Sequence, residues 1–133
     1  DSHLLSVPGV GDTLAPIILA EIGDIHRFDK PSKLIAFAGV DPSENQSGNK
    51  SSSNEKLSKR GSPYLRHAIY TASLVAISKE PELRAYYDKK ISEGKHHFVA
   101  LAGISRKLLT IIYYILKEDR DYIRYDNIKD NKN

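Results

Sequence analysis

The run DPSENQSGNKSSSNEK, residues 41–56, contains no hydrophobic side chain, and it constrains the fold more than any other feature of the chain. A segment with nothing to bury cannot offset the entropy of ordering it into a core, so an exposed polar loop over 41–61 is expected. The core must come from the apolar segments on either side. With 133 residues in all, these are enough for one domain.

Those segments read as helices. Residues 4–23, LLSVPGVGDTLAPIILAEIG, set a Pro-Gly-Val-Gly turn between an apolar end and the periodic set Leu14, Ile17, Ile18 and Ile22, which reads as helix, hairpin, helix. PSKLIAFAG starts at Pro31, with Asp29 as the candidate N-cap, and stops at Gly39. Ser62-Pro63 opens a helix reaching about Ser78, with Leu65, Ile69, Ala72 and Ala76 as its buried stripe. Pro81 opens another that Gly94 closes, and the last has Leu101, Leu108, Ile111, Ile112 and Ile115 on one face. No window of alternating polarity is long enough for a sheet. The expected class is mainly α, a helical bundle with an N-terminal helix-hairpin-helix and a long polar loop. One domain over 1–122 is expected, its later helices in 62–118, followed by a frayed polar tail at 123–133.

The absence of cysteine excludes disulfides and thiolate metal sites and makes a cytoplasmic location the expectation. No uninterrupted apolar run approaches the roughly 20 residues that span a bilayer, so no membrane partner is expected. A net charge of +3 permits a polyanionic partner without demanding one.

In a helix-hairpin-helix, glycines bring the backbone close to DNA so that amide N–H groups at the second helix's N-terminus face a phosphate. Gly9, Val10, Gly11 and Thr13 are the candidate contacts, and such contacts fix position without reading sequence. The plainer reading is a tight turn with glycines present for steric reasons. Asp12 counts against tight binding unless its carboxylate turns back as a cap.

Four elements follow in order: the hairpin, an apolar helix ending in FAG, the loop VDPSENQSG, and KLSKRGSPYLRHAIYTAS. In this order the chain resembles, over residues 4 to about 122, the C-terminal domain of the insertion-sequence one-ten family of transposases, relatives of the Piv DNA invertases. The resemblance implies a two-domain DNA transposase or recombinase. An N-terminal RuvC-like domain would hold a divalent metal with four acidic residues, and this domain would carry a serine nucleophile. It further implies DNA as partner, a guide RNA for the full-length protein, and a homo-oligomer. The chain then reads as a fragment, inactive without the other domain, and no metal or cofactor is expected in it.

By motif position the nucleophile implied is Ser47, in Gln46-Ser47-Gly48, with Ser51, Ser52 and Ser53 as rivals. A serine hydroxyl is a weak nucleophile, and the phosphorane-like transition state carries negative charge on its non-bridging oxygens, so cations must stand nearby. Arg60 and Arg66 are assigned to that task, since a guanidinium can fork two hydrogen bonds to phosphate. Lys50, Lys56 and Lys59 are assigned to tracking the DNA backbone. Against these stand a plain linker serine, and surface ion pairs of the arginines with Glu55 or Glu80.

Other residues read as structural. His96 and His97 are expected at a helix entry rather than on a metal. In each of the doublets Tyr86-Tyr87 and Tyr113-Tyr114 one ring is expected in the core and one at its edge. Arg106 and Lys107 are expected on a solvated helix face. The alternative function is a non-catalytic helix-hairpin-helix module of a repair or recombination complex. Weaker still is a domain that binds only proteins.

Overall fold

A computed structural model describes residues 2–40 and 61–123. Its framework is the last apolar segment, which forms the longest described helix. Among the described residues there are five α-helices and no strand: α1 (Leu14–Ile22), α2 (Pro31–Ala38), α3 (Pro63–Lys79), α4 (Pro81–Ser92) and α5 (His97–Glu118). Short 3-10 helices at Ser2–Ser6 and Ile25–Arg27 complete them. The mainly α helical bundle expected from the sequence is what the chain forms.

α5 packs against α2, α3, α4 and both 3-10 helices, while α1 lies on α3. The predicted stripe explains this, for Leu101, Leu108, Ile111, Ile112 and Ile115 are all buried. Each large aliphatic side chain removed from water contributes about 1.5–3 kcal/mol. By length and composition α5 could cross a membrane, but 72% of its apolar window is buried in the fold, as in a core helix. A search for an uninterrupted apolar run overlooks it because Arg106 and Lys107 break the run.

Helix starts follow local chemistry. Ser62 caps α3, its Oγ accepting the Leu65 amide at 2.9 Å, with Pro63 in the first turn. Leu65, Ile69, Ala72 and Ala76 form the α3 stripe, all fully buried. Pro16 sits in the first turn of α1, where a missing N–H costs no helical hydrogen bond. His96 caps α5 by accepting the Phe98 amide on Nδ1, and His97 is its first residue, as a helix-entry pair should be. Asp29, however, is not the cap of α2. That position is Lys30, in an extended conformation with no side-chain cap, and Pro31 alone marks the start.

The hairpin also differs from its expected form, because its first arm is a 3-10 helix of five residues rather than an α-helix. This arm is held by the other end of the chain. The Tyr122 amide donates to Ser6 Oγ at 2.7 Å, and His3 Nδ1 lies 2.6 Å from Asp121 Oδ1. Residues 124–133, most of the expected tail, lie outside the described residues.

Of the tyrosine doublets, Tyr113 is buried with its hydroxyl donating to the Phe28 carbonyl, and Tyr114 is half-buried at the core edge. Tyr86 and Tyr87 both lie half-buried against the core, so this pair does not divide as expected.

Candidate nucleic-acid interface

Two surfaces carry the residues singled out above. The first is the glycine turn. Gly9 has a φ of 88°, and a Cβ there would run into the Ala72 carbonyl of α3 and approach the Ala76 nitrogen. Its lack of a side chain is therefore required by the protein's own packing. Val10 is buried, and its N–H donates to the Val7 carbonyl at 3.0 Å. Gly9 and Val10 thus face inward.

Gly11, Asp12 and Thr13 face outward at the start of α1. A Cβ on Gly11 would meet nothing within 4 Å. The first backbone bond into the helix is donated by Ala15 to the Gly11 carbonyl, and Thr13 contributes no side-chain cap. The Gly11, Asp12 and Thr13 amides precede that bond, in exposed residues at the positive end of the α1 dipole. Asp12 makes no capping bond either, so its carboxylate stands exposed beside them. The turn borders an open groove of about 510 Å³ whose far wall is Val75 and Lys79 of α3. Lys79 is a cation at this rim that nothing in the local sequence singles out.

The second surface is the foot of the polar segment. The chain leaves α2 through Gly39, whose left-handed backbone (φ 75°, ψ 35°) ends the helix, and through the fully buried Val40. It returns at Ser62, whose amide donates to the Phe37 carbonyl at 2.9 Å. The two ends of the intervening segment are therefore joined side by side. Ser62 Oγ also donates to Glu21 Oε1 at 2.5 Å, linking this foot to α1.

Arg66, on the first turns of α3, lays its guanidinium against Gly39, so close that a Cβ there would stand 2.8 Å from Nη1. Arg106 of α5 points Nη1 at the Val40 carbonyl oxygen, 3.5 Å away. It is half-buried at the loop foot rather than on a solvated helix face, which corrects the expectation for this residue. Tyr70, one turn beyond Arg66, is also half-buried. Burial pushes its phenol above the usual tyrosine range, against the opposing pull of Arg66 and Arg106. Neither arginine is ion-paired with a described carboxylate. Glu80, a partner considered for Arg66, instead accepts from the Tyr122 hydroxyl at 3.3 Å. Arg27 makes a contrast: its Nε donates to the Ile22 carbonyl and its guanidinium lies over Phe28 and Phe37, so the fold itself employs it.

Ser47, its rivals Ser51, Ser52 and Ser53, the cations Lys50, Lys56, Lys59 and Arg60, and Glu55 all lie outside the described residues. Of the phosphate-stabilising residues assigned from the sequence, Arg66 is the one described. Among the described residues no group of three or more His, Asp or Glu side chains is placed to hold a metal ion.

Residues 1–88 match the model of the transposase IS116/IS110/IS902 family. The chain is 35% identical over 120 residues to the insertion element IS900 uncharacterized 42 kDa protein of Mycobacterium paratuberculosis, covering 90% of this chain and 30% of that protein. It is 30% identical over 122 residues to the pilin gene-inverting protein of Moraxella bovis, covering 91% and 38% respectively. It is 32% identical over 123 residues to the transposase for insertion sequence element IS1111A of Coxiella burnetii, covering 88% and 33%. The chain spans about a third of the length of the curated relatives it matches.

Proposed function

The chain belongs to the IS116/IS110/IS902 transposase family, and from that membership we propose that it is the serine-bearing, DNA-binding domain of an enzyme that cleaves and rejoins DNA. The observation that carries this reading is the joined foot of the 41–60 segment. The family-like loop containing Ser47 departs and returns where Arg66 lies against Gly39, so cationic charge stands at the base of the segment that would deliver the hydroxyl.

In the proposed step, Ser47 Oγ attacks a backbone phosphorus. An O–P bond to serine forms, one bridging O–P bond of the DNA breaks, and the departing oxygen takes up a proton. The number of phosphoesters is conserved, so no nucleotide triphosphate is needed for rejoining. Arg60 and Arg66 stabilise the charge on the non-bridging oxygens, and Lys50, Lys56 and Lys59 follow the backbone. The hairpin, with its exposed amides at Gly11–Thr13, holds the duplex in register through a phosphate. The remaining length typical of the relatives is assigned to an acidic, divalent-metal-binding domain. A guide RNA and a homo-oligomer are proposed for the assembled enzyme.

The test joins this domain to its acidic partner and guide RNA and compares wild type with Ser47→Ala. The covalent protein–DNA adduct is expected to vanish in the variant, and an undiminished adduct would refute the assignment. The exposed first turn of α1 favours a second reading, a non-catalytic hairpin module. On that reading every loop serine is dispensable for function while the α1 turn is not.

A further inference from the structure

Arg106 has no role in the serine chemistry proposed so far, yet its position gives it one. It reaches the last residue before the polar segment from α5, while Arg66 reaches the neighbouring residue from α3. Two guanidiniums from different helices thus meet the chain at Gly39 and Val40. Each carries five donors, and among the described residues the one hydrogen bond from this pair is the long Arg106–Val40 contact. Neither guanidinium is paired with a described acid, so an anion at Gly39 and Val40 would meet positive charge from both helices. Tyr70, half-buried one turn beyond Arg66 on α3, lies within the electrostatic reach of both arginines.

The surface continues beyond Arg106. A groove of about 240 Å³ runs between α2, α4 and α5, lined by Ile35, Tyr86, Gly103, Arg106, Lys107 and Thr110, with two cations and no carboxylate. Lys107 lies 4.9 Å from the centre of the Tyr86 ring, and Lys90 lies 5.4 Å from it. Lys90 is paired with Glu93 at 3.7 Å, so the cations that line the groove itself, Arg106 and Lys107, are the ones that suit the backbone of a nucleic-acid strand.

We propose that Arg106, with Arg66 and the Tyr70 hydroxyl, forms a phosphodiester seat at the foot of the 41–60 segment, and that the Tyr86–Lys107 groove carries the adjoining strand. This rests on the family reading for its ligand but not on which serine attacks. Arg106 acts as a binding and positioning residue, holding a phosphate through forked hydrogen bonds.

The test uses the 133-residue chain and a fluorescent oligonucleotide, single-stranded and duplex, titrated from about 50 to 200 mM salt. Arg106→Gln is expected to weaken binding about tenfold. It should also lower the slope of log affinity against log salt by about 0.7–0.9. Arg106→Lys keeps the charge and is expected to keep the slope. Arg84→Gln, on the far side of α4 and paired with Asp88, is expected to bind as wild type does. Thermal melting reports folding, and if Arg106→Gln melts early, the slope of Arg106→Lys decides the matter. A folded Arg106→Gln with wild-type affinity and slope would overturn the seat, as would a folded Arg106→Lys with a reduced slope, or a wild-type chain that binds neither oligonucleotide. An adduct that survives Ser47→Ala would sink the serine assignment and leave the seat standing. A Ser47-dependent adduct alongside unaltered Arg106→Gln binding would do the reverse.

Discussion

Ser62 and Glu21, 41 residues apart in the chain, share a 2.5 Å hydrogen bond between the cap of α3 and the last turn of α1. The same Ser62 hydroxyl accepts the Leu65 amide. The side chain of Ser62 therefore starts α3 and ties it to α1, while its backbone amide closes the foot of the polar segment. Ser62→Ala is expected to cost about 1–3 kcal/mol, from the lost cap and from a carboxylate deprived of its donor. Glu21→Gln, which keeps an acceptor in place, is expected to cost less. Urea denaturation of both variants checks the order.

The two turn glycines are expected to behave differently. Gly9→Ala forces a methyl into the Ala72 carbonyl at a positive φ and is expected to destabilise by more than about 2 kcal/mol. Gly11→Ala, with open space around it, is expected to stay within about 0.5 kcal/mol of wild type. Calorimetric melting of the pair measures this. Lost DNA binding in a Gly9 variant would accordingly report damaged packing, whereas the α1 turn is interrogated cleanly at its exposed positions.

Asp12 offers such a position. Its carboxylate is exposed at the N-terminus of α1 without acting as a cap, so it opposes a phosphate there. Asp12→Asn is expected to raise duplex affinity about two- to fivefold at low salt, the gain shrinking as salt screens the charge. Anisotropy titrations at two ionic strengths check it, and an unchanged affinity would place the duplex elsewhere.

The helices were legible because their signals are local. Ser62-Pro63, Pro81 and the stripes on α3 and α5 involve residues a few positions apart, and those positions lie where the pattern requires. Asp29 failed as a cap although it is of the right type, since Pro31 starts the helix from Lys30 unaided. The site was less legible because its geometry is long-range. That Gly9 is shaped by Ala72, or that Arg106 turns toward Val40, depends on how α3 and α5 cross the turn and the foot of the loop. Periodicity alone put Arg106 on a wet helix face, since a charged residue breaking an apolar stripe has the same local signature whether it meets water or a backbone carbonyl.

The central claim is that one serine between α2 and α3 becomes bonded to DNA. The most direct measurement is tandem mass spectrometry of nuclease-trimmed, proteolysed adduct from the assembled full-length enzyme. A nucleotide phosphate is expected on the peptide containing Gln46-Ser47-Gly48, with fragment ions that localise it to Ser47. A phosphate localised to Ser51, Ser52 or Ser53, or to a residue outside the 41–60 segment, would contradict it.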